Sequence, residues 1–439
     1  MRGGIALAVM LAMAACTQSS GPIISANALA GIPAPKPMRS NAAIAADILD
    51  LTFELESGRE IARFARFEGP VRVGLRGQVP ASLLADLERL TQRLRAEAGI
   101  DVRLVDGARA EITLETVPAS ALHRAAPGAA CFTVPEVESW AAYARAGYRS
   151  ADWAGLEARR QVTVFLPAEA APQELRSCLH EELAQALGPL NDLYRLPDSV
   201  FNDDDMEGVL TSFDMLALRA LYAPEIHSGM SRAEVDARLP AVLARLNPAG
   251  GTGGLASVQD DGSWRLDIEA ALSPANSPTA RIDAAARAAR ASQRFAASDP
   301  RAGFGPYVYG RLLMARDPAE ARLQLSAAAR AYGQSTLTRI HTARTDAQIA
   351  RLDLASGDTE AALSRARAAR EIATAHEDAS LYSELALIEA EALDRLGLST
   401  EADALRLDSL PAARYGLGSD TIIGQMRRSL AALRPAKES

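Results

Sequence analysis

The chain has 439 residues, a formal net charge of -8 and 48% hydrophobic residues. Its arginines are dispersed without a basic stripe or cluster, which argues against nucleic acid as a partner. The apolar content is sufficient for folded cores, and the length predicts two or three domains. Beyond the N-terminal residues, no apolar stretch is long enough for a membrane-spanning helix.

The N-terminus has the pattern of an export signal. Arg2 is followed by an apolar run over residues 5–13, and the small residues Ala14 and Ala15 directly precede Cys16. A cysteine in this place resembles the lipobox of bacterial lipoproteins, whose thiol receives a diacylglyceryl group. We therefore predict a signal peptide over residues 1–15 and a lipid at Cys16 that makes the membrane a partner. An ordinary signal peptide followed by a chance cysteine is the alternative.

The residues after the predicted anchor indicate its location. Thr17 follows Cys16, whereas an aspartate in that place would favour retention in the inner membrane of Gram-negative bacteria. We therefore expect a periplasm-facing lipoprotein, with the outer membrane favoured. Residues 16–41 are rich in Ser, Pro, Gly and Ala and show no helical or strand period. This composition predicts the anchor and a flexible spacer.

Two cysteines remain for the folded part of the chain. Cys131 and Cys178 form an even pair in a chain that carries an export signal. Exported domains form disulfides because their compartment is oxidising. We therefore predict a Cys131–Cys178 disulfide.

Residues 42–230 predict an α+β domain. Val71, Val73 and Leu75 alternate as a half-buried strand does, and leucines at helical spacing follow between Pro80 and Gly99. Further strands are predicted around residues 100–104, 110–114 and 162–166, and a long helix over 172–187. This order favours one mixed sheet with a long helix packed on it.

The remaining chain is predicted to be helical. Residues 231–276 predict a helical connector with a Gly-rich linker at 248–254. Residues 277–415 are Ala- and Arg-rich with helical periodicity, and residues 416–439 predict a C-terminal helix and tail. The expected architecture is therefore an α+β domain followed by an all-α domain.

An internal repeat supports the second domain. Helix starts recur at Asp317, Asp358 and Ser399, whose residue types are natural N-caps, and each is followed closely by Glu-Ala. Gly357 and Gly397 stand where the preceding helices must end. This pattern is similar to a tetratricopeptide array with a longer period, which predicts a protein or peptide partner. An irregular Ala-rich bundle is the alternative.

The segment over residues 178–192 carries the candidate chemistry. If His180 were the first histidine of a zinc-protease H-E-x-x-H motif, the second would fall on Ala184, which has no ligand atom. A register one residue later fits the metzincin motif H-E-x-x-H-x-x-G-x-x-H, but its three histidine positions hold Glu181, Gln185 and Asn191.

Other parts of the metzincin pattern are retained. Glu182 occupies the place of the catalytic general base, and Gly188 occupies the turn that brings back the third ligand. Asp192 is a further candidate ligand beside Asn191. Ser228-Gly229-Met230 resembles the Met-turn below such sites, with Met230 as its methionine. Together with the order of strands and helices, this resemblance implies a zincin-like α+β domain, which is followed by the all-α helical-repeat domain.

Residues 48–230 also resemble a domain of unknown function found in exported proteins of Gram-negative bacteria. The resemblance rests on the two cysteines, on the segment 181–192 with its pattern E-E-x-x-Q-x-x-G-x-x-N-D, and on short segments at 199–203, 210–214, 221–222 and 229–230. The family implies no activity.

The donor set decides what such a site can do. The candidate ligands Glu181, Gln185, Asn191 and Asp192 offer only oxygen atoms suited to a metal. Zinc prefers imidazole and thiolate, whereas calcium prefers oxygen, so a divalent ion, Ca or Zn, is the cofactor to consider. Without an ion that acidifies water, Glu182 has little to act on as a base.

Two hypotheses about function follow. The first is a binding or scaffold protein of the cell envelope, whose zincin-like domain is not catalytic. The second is a metallopeptidase with oxygen ligands that acts on envelope proteins or peptides.

Three further features have structural interpretations. His180 and His227 are more often structural than ligating at such positions. The acidic run at 202–205 lacks the glycine and the terminal glutamate of a calcium loop, so a solvated acidic turn is expected.

Overall fold

The computed structural model describes residues 39–106, 109–146, 152–251 and 262–433. The predicted signal peptide, Cys16 and nearly all of the predicted spacer lie outside the described residues, as do part of the Gly-rich linker and residues 434–439 of the tail. Among the helices of the described residues, none is long and apolar enough to cross a membrane.

The first region combines helices with one sheet. The strands are β1 (Val71–Arg76), β2 (Val102–Leu104), β3 (Ile112–Val117), β4 (Phe132–Pro135) and β5 (Val162–Pro167). The helices are α1 (Asn41–Phe53), α2 (Ala81–Arg93), α3 (Ala119–Ala125), α4 (Trp140–Ala146), α5 (Pro172–Leu187), α6 (Ser212–Leu221), α7 (Arg232–Asp236) and α8 (Leu239–Leu246).

The sheet is mixed, as predicted. Its strand order is β2-β1-β3-β5-β4, with β4 antiparallel to β5 and the other pairs parallel. All six residues of β5 are buried, because helices cover both faces of the sheet at this strand. The predicted α+β class is therefore confirmed. Strand β4 and helix α1 were not predicted. Strand β4 gives a weak signal because it is only four residues long and ends in a proline.

Helix α5 follows β5 directly and packs against the sheet and α2. Pro172 occupies its first turn, where the missing N–H costs nothing. Leu175, Leu179 and Leu183 on its inner face are fully buried. The predicted disulfide between Cys131 and Cys178 is present, with the two Cα atoms 6.0 Å apart, and it ties the start of β4 to the middle of α5.

The second region is entirely helical within the described residues, which confirms the predicted all-α class. Its helices are α9 (Ser263–Leu272), α10 (Pro278–Ala291), α11 (Arg301–Leu313), α12 (Pro318–Tyr332), α13 (Arg339–Ser356), α14 (Thr359–Ala375), α15 (Ala379–Arg395), α16 (Ser399–Leu417) and α17 (Asp420–Ala431). Each helix packs against the next along the chain, as in a stacked array of helix pairs.

The predicted caps of the array are present with one exception. The side chains of Asp317 and Asp358 accept backbone N–H groups at 3.0 and 3.3 Å and cap α12 and α14. Gly357 and Gly397 have left-handed φ angles of 86° and 80° where the preceding helices end. Ser399 is the first residue of α16 rather than its cap, which is Leu398.

The helices of the predicted connector are divided between the two cores. Val235, Leu239 and Leu243 of α7 and α8 are buried in the first core beside α1. Trp264 and Ile268 of α9 are buried in the core of the array. The first domain therefore extends to the end of α8, and the array begins at α9.

The two domains are packed together. The Tyr194 ring lies against Trp264 and Phe304 of the array, with ring centroids 5.2 and 5.6 Å apart. At another point of the interface, Arg176 of α5 pairs with Glu377. This packing places the first half of α5 and the loop that follows the helix at the junction with the array.

Candidate functional site

Helix α5 carries the predicted ligands Glu181 and Gln185 and the predicted base Glu182. Glu181 and Gln185 are one helical turn apart, which places them on one face of the helix. Glu181 is only partly exposed, whereas Gln185 and Glu182 are buried. The three side chains therefore belong to a mostly desolvated site rather than to an open surface.

The two remaining candidate ligands, Asn191 and Asp192, lie in the loop after α5 and make different contacts. Asn191 Nδ2 donates to the carbonyl oxygen of Asp50 at 3.2 Å, and Asn191 Oδ1 accepts the Asp192 N–H at 3.1 Å. Asn191 thus holds the loop in place with both ends of its amide. Asp192 instead accepts a hydrogen bond from Gln185 Nε2 at 3.3 Å. The structure therefore brings Asp192, and not the Asn191 side chain, to Gln185.

Acidic residues that sequence reasoning did not assign to the site complete it. The Glu56 carboxyl lies within hydrogen-bonding reach of Asp192. Asp203 and Asp205 lie close enough for their charges to act on Glu181. We call this set the carboxyl cluster, and its members are Glu56, Glu181, Glu182, Asp192, Asp203 and Asp205. Glu56 follows α1, an element without a sequence signal, so no pattern pointed to it.

Burial and mutual repulsion raise the pKa values in the carboxyl cluster. Burial, together with the charges of Asp205, Glu56 and Asp203, raises the pKa of Glu181 to about 8. Burial and the charge of Glu56 raise the pKa of Asp203 to about 7, although Arg265 opposes this shift. Burial also raises the pKa values of Glu182 and Asp192 well above their usual range. At neutral pH the cluster therefore holds protons or needs a cation.

Two buried oxygen atoms of the cluster have no donor. Glu182 Oε2 and Asp192 Oδ1 are inaccessible to solvent and accept no hydrogen bond. Unsatisfied buried carboxylate oxygens are costly, and a proton or a cation removes that cost. Among the described residues, no group of three or more His, Cys, Asp or Glu side chains is arranged to hold a metal ion. The donors do not fit zinc, since none is an imidazole or a thiolate.

The two histidines near the site have structural surroundings. His180 is buried, and its Nδ1 accepts the Leu210 N–H at 3.0 Å. Burial lowers the pKa of His180 well below its usual range, which keeps the ring neutral. His227 is exposed in a turn, where its Nδ1 lies 3.0 Å from the carbonyl oxygen of Ser228. These contacts do not bring either imidazole ring to the carboxyl cluster.

The Met-turn-like segment is part of the apolar core. Met230 is buried, and its carbonyl oxygen accepts the Phe64 N–H at 2.8 Å. Gly229 adopts a left-handed φ of 89° and donates its N–H to the carbonyl oxygen of Phe64 at 2.8 Å. The segment therefore forms a tight turn paired with Phe64, and these hydrogen bonds account for its shape without reference to a metal.

A buried arginine fixes the end of α5. Arg159 donates to the carbonyl oxygens of Gln185 and Gly188, the latter at 2.6 Å. A cation in this place also interacts favourably with the negative end of the helix dipole. Burial lowers the pKa of Arg159 to about 10, which still leaves the guanidinium charged at neutral pH. Arg159 thus positions the turn that carries Gly188 and Asn191.

The prediction of a solvated turn at residues 202–205 is wrong for most of that run. Asn202 is buried, and its Nδ2 donates to Leu196 O at 2.8 Å and to Asp204 Oδ2 at 2.9 Å. The Asp204 side chain is buried against the array, and only Asp205 is exposed. Sequence reasoning missed this because the partner of Asp204 is His341, which is 137 residues away.

The first domain is thus an α+β domain in which the helix that follows the last strand of a mixed sheet carries buried carboxyl groups. Residues 41–241 match the model of a family described as "Protein of unknown function (DUF2927)". No curated protein and no solved structure matches the chain. The predicted family resemblance is therefore confirmed, while the likeness to zincins stays a prediction.

Replacing Glu181 with Gln should flatten the pH dependence of stability. The raised pKa of Glu181 means that its contribution to folding is intact below about pH 4.5 and is lost as the pH rises towards about 8. Glu181→Gln removes this loss. Since one pKa unit corresponds to about 1.4 kcal/mol, we expect the variant to gain more than about 1 kcal/mol over the wild type at pH 8 relative to pH 5.

The measurement is denaturant unfolding at pH 5 and pH 8 with a chelator present. Glu174→Gln is the control, because Glu174 is an exposed carboxyl on the same helix. An equal change of stability with pH in the wild type and in Glu181→Gln would contradict the assignment.

Proposed function

We propose that the protein is a cell-envelope lipoprotein that acts as a binding or scaffold protein rather than as a hydrolase. The state of Glu182 carries this proposal. Its carboxyl is buried, and its pKa is raised well above the usual range. Glu182 Oε2 is inaccessible to solvent and has no hydrogen-bond partner, so this oxygen has no access to a water molecule that a general base would deprotonate.

The neighbouring residues support the same conclusion. The positions that match the histidines of a metzincin hold Glu181, Gln185 and Asn191, and the Asn191 amide is committed to the loop. No nitrogen ligand for zinc remains in this register. The stacked helices of the array favour a protein or peptide as the partner, because such arrays present extended surfaces for recognition.

The test is turnover that depends on Glu182. The exported soluble form, from Thr17 onward, is incubated with a library of quenched fluorescent peptides beside Glu182→Gln and Glu174→Gln. We expect no hydrolysis that distinguishes Glu182→Gln from the other two proteins. Hydrolysis that is lost in Glu182→Gln and kept in Glu174→Gln would overturn the proposal.

The lipid anchor is tested separately. If Cys16 carries the lipid, the wild type partitions into detergent and sediments with outer membranes, whereas Cys16→Ser is recovered in the soluble periplasmic fraction. A radiolabelled fatty acid should label the wild type only. Membrane association that survives in Cys16→Ser would contradict lipidation at this residue. A labelled protein in inner membranes would contradict the proposed location.

A metal-dependent hydrolase with oxygen ligands is the second candidate. The observation that favours it is the pair of buried oxygens without donors, Glu182 Oε2 and Asp192 Oδ1. Glu56 and Gln185 add two more oxygen-bearing side chains beside Asp192. An all-oxygen set suits calcium, and a bound cation would lower the pKa of Glu182 towards the range of a useful base.

Calorimetric titration with Ca²⁺, Mg²⁺ and Zn²⁺ separates the two candidates. If the second is right, Ca²⁺ binds at a one-to-one ratio and Asp192→Asn weakens binding at least tenfold. The control is Asp236→Asn, an exposed carboxylate on α7. Equal heats for the wild type and Asp192→Asn would rule out a site at the carboxyl cluster.

A further inference from the structure

The first domain inserts one short segment into the helical array. We call residues 202–207 the acidic segment; it reads Asn-Asp-Asp-Asp-Met-Glu. It contacts a surface that we call the array groove, formed by His341 and Arg344 of α13 and by His376 at the end of α14. Asp203 and Asp205 of the same segment belong to the carboxyl cluster.

Two carboxylates of the acidic segment meet two histidines. Asp204 Oδ2 lies 2.8 Å from His341 Nε2, and both side chains are almost completely buried, at 3% and 0% exposure. Glu207 Oε1 lies 2.9 Å from His376 Nδ1. Hydrogen bonds to charged groups are stronger than neutral ones, and those that are desolvated are the most sensitive to the loss of a partner.

An apolar side chain lies between these two contacts. Met206 is 2% exposed and belongs to the hydrophobic core of the array, not to the core of its own domain. Its carbonyl oxygen accepts a hydrogen bond from Arg344 Nη2 at 3.4 Å. The same guanidinium is held by Asp378 at 2.7 Å, which fixes its direction. A buried methionine flanked by carboxylate–histidine contacts is a combination that a peptide ligand can also supply.

The backbone of the acidic segment is strained where it enters this site. Asp205 has a left-handed φ of 55°, a conformation that costs a residue with a side chain some free energy. Glu377, next to His376 in the array groove, has the same φ of 55°.

We propose that the array groove is a recognition site for acidic segments of other proteins, and that the acidic segment occupies it as an internal ligand. The favoured partner carries a methionine or similar apolar residue between two carboxylates, spaced as in Asp204, Met206 and Glu207. This inference rests on the proposed function as a binding protein and names the chemistry of its partner. Release of the internal ligand is what exposes the groove.

The test uses the full soluble chain and a synthetic peptide. Asp204→Ala combined with Glu207→Ala removes both carboxylates and releases the acidic segment. The probe is a fluorescein-labelled peptide with the sequence of residues 200–209, and a control peptide replaces its two pairing carboxylates with amides and its methionine with serine. Binding is followed by fluorescence anisotropy.

We expect the released variant to bind the probe at least about tenfold more tightly than the wild type, because the internal ligand competes with it. The control peptide should bind the released variant no more tightly than the probe binds the wild type. Adding His341→Phe to the released variant should abolish binding of the probe. Hydrogen exchange of residues 202–207 shows whether the segment has been released.

A released segment without binding of the probe would overturn the inference. If the double variant does not fold, Glu207→Ala alone keeps the buried Asp204 pair and should show a smaller gain in binding, and no gain would count against the groove. The readout is independent of peptide hydrolysis and of the lipid anchor. If the probe does not bind, the proposal that the protein is not a hydrolase still stands. If hydrolysis that depends on Glu182 is found, the result of the binding test is unchanged.

Discussion

The contact between Asp204 and His341 is the interaction through which the first domain enters the core of the helical array. Both side chains are buried, and they belong to different domains. Met206 lies in the core of the array, and Asp203 and Asp205, on either side of Asp204, belong to the carboxyl cluster. A buried polar pair of this kind is expensive to break singly, because the remaining partner stays desolvated. The segment that carries two members of the carboxyl cluster is thus held in part by the other domain.

The chemistry of the carboxyl cluster follows from the balance between burial and charge. Burial is the largest cause of the raised pKa of Glu181, of Glu182 and of Asp192. The carboxylates around them act in the same direction, and Arg265 opposes the shift only at Asp203. A site of this composition attracts protons or a hard cation more strongly than it activates water. This is why we connect the protein with binding, and why a cation is the one ligand that would reverse that conclusion.

Local patterns were sufficient to predict the elements that carry the site. The leucines of α5 recur at helical spacing and the valines of β5 alternate, so both elements and the disulfide partner Cys178 could be placed. The role of Asn191 could not be predicted, since its amide is used by Asp50, 141 residues earlier in the chain. Glu56 was missed for the same reason, because only the fold brings it to Asp192.

The acidic run at 202–205 shows the physical limit of such predictions. Its composition is that of a solvated turn, and Asp205 is indeed exposed. Asp204 is buried because His341 of the array compensates its desolvation, and no local pattern records a partner in another domain. Ser399 is a separate, local discrepancy. Its residue type favours a cap, but the helix has already begun there.

The placement of Tyr194 and Met206 has a consequence for how the protein unfolds. Met206 is part of the array's hydrophobic core, and Tyr194 packs against that core while belonging to a loop of the first domain. Separation of the domains would leave Trp264 and Phe304 of the array facing water. The two domains should therefore lose structure in a single cooperative transition. A fragment cut between α8 and α9 would carry exposed aromatic surface and would be prone to associate with itself.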